Sequence, residues 1–407
     1  MNEQLILRGP RHVLLRYLSV SLFSRTAMCC GILIALMEIL ALLEQMTPIL
    51  RRHLGLTGVL TYMVLHFPAM MQTALPLSVL IGALILLTQM TVSSEIAILR
   101  ASGMSPFGFL RLLVPATLAI GLFGVLLEDQ ITPRTELALA SWWNRTDPHP
   151  EDGRAFWFHV PHGQASACNL PAAAPAGSAL AKATGASPVQ RSSGASTPVA
   201  NELAHVGYVT RSGHEAWDID LYDRDSAGSL MRTLHADHAS HGPAGWTMRD
   251  IRCVSVSRAD LNATATEDTS TAARWINPFG PTDMLRLSLD SSPLSAHLIF
   301  QALKGRIATN LTPGYLRATL FERFLRPLSL VVMLLLAMPV IYIPPRTGLR
   351  SWLPVWCLAA GLLFIIVQGM FRAMGNAGLL PASVATVPGL IIFTLAAGTA
   401  LLRNEDK

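Results

Sequence analysis

Ser93-Ser94-Glu95-Ile96-Ala97-Ile98-Leu99-Arg100-Ala101-Ser102-Gly103 stands between two apolar runs, each long enough to cross a bilayer. The stretch is polar at its start and compatible with a helix. Ser93 or Ser94 is placed to cap it, and Glu95 falls in the first turn, where the helix dipole favours negative charge. Ile96, Leu99 and Gly103 recur at i, i+3 and i+7, which makes one face apolar. Gly103 suits the helix end, and Pro106 opposes its continuation. A short amphipathic helix held between two spans reads either as a plain connector or as a lever for a cytoplasmic partner.

Working outward, the chain of 407 residues is 51% hydrophobic and only 14% charged, the balance of an integral membrane protein with a sizeable polar part. The net charge of +5 is a modest Lys+Arg excess, and several arginines sit beside apolar runs. That placement signals topology and anionic ligands, not nucleic acid, and no RNP-type or zinc-finger pattern occurs. The five cysteines form no CxxC pair. Cys29, Cys30 and Cys357 lie in apolar runs and read as inert, whereas Cys168 and Cys253 lie in the polar middle and can pair if that part is periplasmic. Arg8, Arg11 and Arg16 before an apolar run imitate a signal peptide, but the run over 24–46 is too long for one and reads as a retained span.

Span one (24–46) carries Glu38 in its interior, either as a hydrogen-bonded packing residue or as part of a polar gate. Span two (64–92) contains Pro68 and Pro76, which predict a kinked start or a separate short helix before the span proper. Span three (107–127) ends at Glu128-Asp129. The polar middle holds six strand-like runs separated by turn signals: 156–160, 205–210, 216–222, 229–235, 245–248 and 252–258. They predict a small antiparallel sandwich or jelly roll. Residues 170–200, rich in Ala, Ser, Gly and Pro, predict disorder. Helix is expected over 293–323 with a break at Pro313-Gly314, followed by three further spans at 324–343, 351–371 and 382–402.

The expected fold is therefore an α-helical membrane protein with six transmembrane helices, three and three, around one β domain. The expected domains are 1–128 with the lever at about 93–104, the β domain at 129–300, and 301–407 with a connecting helix and the last three spans. Arg8, Arg11, Arg16, Arg100, Arg346, Arg350 and Arg403 fall on one side, against Arg51, Arg52 and Arg372 on the other. This asymmetry predicts cytoplasmic termini and a β domain outside the cytoplasm.

Several separated segments resemble the LptF/LptG family, the permeases of the ATP-driven lipopolysaccharide exporter of Gram-negative bacteria. Leu43-Glu44-Gln45-Met46 closes span one; Phe67-Pro68 and Leu75-Pro76-Leu77 begin span two. Ser94-Glu95-Ile96 and Arg100-Ala101-Ser102-Gly103 form the lever. Glu322-Arg323 and Pro327 open span four, Gly378-Leu379-Leu380-Pro381 precedes span six, and Pro388 lies within it. The likeness covers both membrane halves, about half the chain; the β domain matches by position and strand content only. Leu43–Met46 and the closing segment favour the LptG-type subunit, with the LptF type as the alternative. Residues 170–200 depart from the family pattern and look like a loop insertion.

The resemblance implies an inner-membrane protein with its β jelly roll in the periplasm, paired as a heterodimer with the homologous subunit on an LptB-type cytoplasmic ATPase dimer. It implies hand-over of lipopolysaccharide to LptC and LptA, jelly-roll proteins of the periplasm. It makes the lever a coupling helix, with Glu95, Ile96, Leu99, Arg100 and Gly103 as the residues that engage the ATPase.

The residues themselves agree with a non-enzymatic subunit. No GxxxxGK[ST] loop is present, so ATP is the partner's cofactor and none is expected in this chain. No Ser/His/Asp set or metal-ligand spacing stands out; His235, His238 and His241 are three apart but should splay on strand and turn, so no metal is expected. A lipopolysaccharide site needs a wide apolar cavity with cations at its periplasmic rim, and Arg51, Arg52, Arg134 and Arg145 are the rim candidates, each also explicable as an interface anchor. The alternative reading is a non-transporting transmitter of force from an ATPase to a periplasmic partner, which would favour four spans and a larger outer part. An ion-coupled carrier would want more intramembrane acids than Glu38.

Overall fold

The computed structural model describes residues 9–146, 155–160, 201–210, 212–224, 229–243, 245–255, 266–275, 279–288, 294–343, 351–377 and 379–405. Its elements run α1 (Gly9–Arg51), α2 (Gly55–Val92), α3 (Glu95–Ala101), α4 (Pro106–Leu126), a π-helical turn (Leu127–Ile131) and α5 (Thr132–Arg145). Strands follow: β1 (Phe156–Val160), β2 (Asn201–Val209), β3 (Glu215–Arg224), β4 (Leu230–Gly242), β5 (Gly245–Ser255) and β6 (Thr266–Trp275). Then come α6 (Pro281–Leu287), α7 (Ala296–Leu303), α8 (Pro313–Ala337) with a 3₁₀ turn (Met338–Tyr342), α9 (Leu353–Asn376) and α10 (Ala382–Glu405). The segment 170–200 and residues Arg8, Cys168, Arg346 and Arg350 lie outside the described residues. The chain divides into a helical unit (1–139, 293–296, 313–407) and a β unit (140–292, 297–312).

In the helical unit, six helices are long and apolar enough to cross a membrane among the described residues, three before the sheet and three after it. α2 runs unbroken through Pro68 and Pro76, so no separate short helix precedes span two. A proline costs one helical hydrogen bond, and packing against neighbouring helices sustains the rest. α2 and α8 form the centre: Val79, Leu80, Ala83, Leu86 and Leu87 meet a core that includes Leu330, Met333 and Leu334. Small residues allow close approach of helices in such bundles. At Gly121 of α4, an added Cβ would stand 2.7 Å from the Pro327 Cα of α8. α1 leaves Val20, Met28, Ile32, Leu36 and Leu43 exposed, as expected of a surface that faces lipid or another membrane helix.

The β unit is one six-stranded antiparallel sheet in sequence order. Its inner face buries Phe158, Val206, Ile219, Ala236, Met248 and Trp275, closed over by Phe279, Met284 and Leu287. The alternation that places them is broken once per strand in the middle of the sheet. In β3, β4 and β5 consecutive inward residues there are three apart: Ala216 and Ile219, Ala236 and Ala239, Met248 and Ile251. The skipped positions, Gly207, Asp218, Asp237 and Asp250, face one another across the register between Tyr208↔Trp217 and Val206↔Ile219, and onward through β5. Asp218 and Asp250 take positive φ, 56° and 55°, a conformation that Asp adopts more readily than most residues. Because each strand is interrupted at the same point, pairing resumes in the same register on either side of it. The same interruption explains why β5 is one strand where the sequence suggests two: Arg249-Asp250 is a break in the alternation, not a turn.

Glu202 on β2 lies buried beside Asp223 of β3, its Oε1 accepting from Trp275 Nε1 at 3.2 Å. Burial, with the neighbouring Asp223 carboxylate adding to it, pushes the Glu202 pKa up to about 7, against the weaker pull of the Trp275 hydrogen bond. The folded state thus holds this proton more tightly than the unfolded state. Its stabilisation is complete below the ordinary carboxylate pKa and is lost as pH rises toward 7. Glu202→Gln keeps an acceptor for Trp275 and removes the charge. It is expected to raise the stability of the β unit by about 2–3 kcal/mol at pH 8 and to change it little at pH 4, as read by thermal unfolding at the two pH values.

Candidate functional site

α3 sits between α2 and α4 as a separate seven-residue helix. Its end follows the expected pattern. Gly103 has φ +86°, its N–H donates to Arg100 O at 2.9 Å, and Met104 N–H donates to Leu99 O at 3.1 Å. This is a Schellman closure, which requires a left-handed residue after the helix. Its start differs from the expected cap. Ser94 occupies the cap position in the left-handed region, φ 63°, without a side-chain cap bond. Ser93 Oγ instead donates to Glu95 Oε1 at 3.0 Å, and Tyr17 OH from α1 donates to Oε2 at 3.4 Å.

The apolar face of α3 is turned into the chain's own bundle. Ile96 is 4% exposed, and Leu99 packs against the same core. The outward side carries Ala97, Ile98 and Ala101, with Ile98 68% exposed, flanked by Glu95 and Arg100. The Arg100 guanidinium lies 4.7 Å from the ring centroid of Tyr342, whose hydroxyl donates to Leu401 O of α10 at 3.2 Å. α3 is thereby tied to α1 through Glu95 and to the ends of α8 and α10 through Arg100.

The rim arginines do not form one cluster. Arg51 ends α1 and Arg134 lies in the first turn of α5; both are exposed, and Arg52 is half-buried. Because α1, α2 and α4 cross in alternating directions, these three share the end of the bundle opposite α3. Arg145 is exposed and belongs to the β unit. Glu38 is buried with its Oε1 3.6 Å from His66 Nδ1 of α2.

At the end opposite α3 the structure assembles a set of charges: Glu128, Asp129, Glu322, Arg323 and Arg372, which the sequence offers as landmarks of spans and topology, and Arg326, which it does not single out. The π-helical turn carries Glu128 and Asp129 toward α8. Arg323 Nη1 donates to Asp129 Oδ1 at 2.9 Å, its Nη2 donates to Leu294 O at 2.9 Å, and its Nε stands 3.5 Å from Glu128 Oε1. Arg326 Nη2 donates to Glu128 Oε1 at 3.2 Å, and its Nε stands 3.1 Å from Glu128 Oε2 as an ion-pair contact. Glu322 Oε1 pairs with Arg372 Nη1 at 3.1 Å. Three carboxylates thus face three guanidiniums, so the chain of pairs is neutral, and the two-pronged Arg326–Glu128 contact is the geometry arginine favours. Beside it opens a cavity of about 380 Å³, lined by Gln72, Glu136, Glu322, Arg326, Gln368 and Arg372 with Pro76, Met333, Phe364 and Leu390. Charges of both signs at the ends of spans three, four and five were the available signal.

Of the three histidines spaced three apart, His238 lies 4.3 Å from Trp217 and His241 lies 5.2 Å from Trp246, ring centroid to centroid, so they diverge from His235. Cys29, Cys30 and Cys357 are free and buried.

Two groups of three membrane-spanning helices, a short helix held between the second and third, and an inserted antiparallel sheet define a multi-pass membrane protein with one β domain. The chain belongs to the lipopolysaccharide export system permease LptF/LptG family, whose pattern matches residues 16–154 and 179–403. It is similar to the lipopolysaccharide export system permease protein LptG of Haemophilus influenzae, 21% identical over 395 residues, 96% of this chain and 98% of that protein. It is likewise similar to the LptG protein of Escherichia coli K12, 21% identical over 389 residues, 95% of this chain and 97% of that protein.

Proposed function

We propose that this chain is the LptG-type permease subunit of a transporter that extracts lipopolysaccharide from the inner membrane and passes it to a periplasmic bridge. The observation that carries this reading is the length of the likeness: relatives named LptG align with about 95% of the chain, through both membrane halves, α3 and the sheet. In this reading the chain pairs with an LptF-type subunit. An LptB-type ATPase dimer hydrolyses ATP, and the β domain stands in the periplasm beside LptC- and LptA-type proteins.

α3 is then the coupling helix. Its outward side offers Ile98 as the apolar contact, with Glu95 and Arg100 as charged flanks, while Ile96, Leu99 and Gly103 hold the helix in shape and place. A push on α3 reaches α1, α8 and α10 through Tyr17 and Tyr342. At the other end of the bundle Arg51, Arg52 and Arg134 meet the phosphates of lipopolysaccharide; Arg145, in the β unit, is a separate phosphate contact. Attraction between a cation and a phosphate is strongest where water is sparse.

Photocrosslinkers placed singly at Arg51, Arg52, Arg134 and Arg145 in living cells test the lipid assignment. Crosslinks to lipopolysaccharide are expected at these positions and not at Ile98. Absence of lipopolysaccharide adducts at all four would remove the rim assignment.

A further inference from the structure

The outer face of the sheet gathers a donor set that lipid export does not call on. His205 of β2, Asp220 of β3 and His235 of β4 are opposite one another in consecutive rungs of the register. The aligned interruption adds Asp218 and Asp237 to the same face. Ordinary alternation would turn one of two adjacent residues inward, but the positive φ of Asp218 leaves Trp217, Asp218 and Asp220 all outward, with Ile219 alone buried between them. The interruption therefore concentrates carboxylates around His235.

We propose that His235 Nδ1 and one carboxylate oxygen each from Asp220 and Asp218 bind a divalent late-transition cation of the Zn²⁺ class. Nδ1 of His235 is 2.7 Å from Asp220 Oδ1 and 3.9 Å from Asp218 Oδ1, and the three donor atoms all lie within 4.8 Å of one another. The far atoms of two ligands are already held. His235 Nε2 is 3.1 Å from Asp237 Oδ1, a contact that favours a proton on Nε2 and turns Nδ1 toward the two other carboxylates. Asp220 Oδ2 is 3.3 Å from His205 Nδ1. A carboxylate on the distal nitrogen of a metal-binding imidazole is the usual way such ligands are oriented and made more basic. A mixed imidazole and carboxylate set suits Zn²⁺, Co²⁺, Ni²⁺ or Cu²⁺ better than Mg²⁺ or Ca²⁺, which prefer oxygen alone. Three protein ligands leave the remaining position to water. The ion takes the place of the proton that joins Nδ1 to Asp220 and relieves the repulsion among Asp218, Asp220 and Asp237. Arg252, opposite His235 on β5, offsets only part of that negative charge.

The test uses the full-length chain in detergent with any affinity tag removed. Zn²⁺ affinity is measured by competition with a chromophoric chelator, and Co²⁺ serves as a spectroscopic substitute. One equivalent per chain is expected. His235→Ala should abolish that equivalent and the visible Co²⁺ band. Asp237→Asn, which touches only the distal nitrogen, should weaken binding by about 10-fold. His238→Ala, whose ring packs on Trp217, should bind as the unaltered chain does. The thermal midpoint of each variant shows whether it has folded. No stoichiometric Zn²⁺ binding by the unaltered chain, or undiminished binding by folded His235→Ala, would overturn the site.

Discussion

Arg323→Ala is expected to destabilise the helical unit by about 3–5 kcal/mol, because it strips one partner from a buried set of charges. Arg323 is 6% exposed and Glu128 is 8% exposed, so water does not replace what is lost. Asp129 Oδ1 would keep only the Ala296 N–H at 2.6 Å, and Leu294 O would lose its Arg323 donor. Glu128 would keep Arg326, which touches both of its oxygens. The damage should therefore centre on Asp129. Arg323→Lys should fall between the two, since an ammonium carries the charge but not the fork that reaches Asp129 and Leu294 together. Arg323→Met combined with Asp129→Asn should cost less than Arg323→Met alone, because the orphaned charge goes with its partner. Thermal unfolding in detergent measures all of these. An unaltered midpoint for Arg323→Ala would show that the network does not hold α4 to α8.

Glu95→Lys is expected to separate partner binding from folding. The contacts Glu95 makes with Ser93 and Tyr17 are exposed, so the chain's own stability should change by no more than about 0.5 kcal/mol. On the proposed coupling role, a lysine there removes one charged contact and puts like charges together if the ATPase groove is basic. Capture of the ATPase should fall at least about 10-fold, with Glu95→Ala milder. The burial pattern sharpens this contrast. Ile98→Asp should weaken capture by about 10- to 100-fold, from the roughly 1.5–3 kcal/mol of a buried isoleucine, and leave folding intact. Leu99→Asp should instead destabilise the chain itself, since Leu99 packs inward. Co-purification at matched expression, read beside thermal midpoints, distinguishes the two. Normal capture by folded Ile98→Asp and Glu95→Lys would remove the coupling role from α3.

The spans were legible because an apolar run of about twenty residues has few other uses. Their ends were not, since helix continues into polar sequence once neighbours support it; α5 carries span three's helix on to Arg145. Strand β6, Thr-Glu-Asp-Thr-Ser-Thr-Ala-Ala-Arg-Trp, lacks apolar alternation and owes its form to pairing with β5. The aligned interruption resets the period of two in the middle of the sheet, which hid the continuity of β5 and the convergence of Asp218 with His235. In α3 the apolar face and the Gly103 end could be read directly. Which neighbour covers that face could not: a helical period identifies a side, not its partner. The Arg323–Asp129 pair joins residues 194 positions apart, and no local pattern carries such a pairing.

The measurement that bears most directly on the proposed function is lipid transfer. The chain, its LptF-type partner and the ATPase would be reconstituted in liposomes containing lipopolysaccharide, with a soluble acceptor carrying a photocrosslinker outside. The account predicts that ATP drives lipopolysaccharide onto the acceptor, and that Glu95→Lys abolishes this transfer while the variant remains folded. ATP hydrolysis at the full rate with no lipopolysaccharide leaving the bilayer would contradict it.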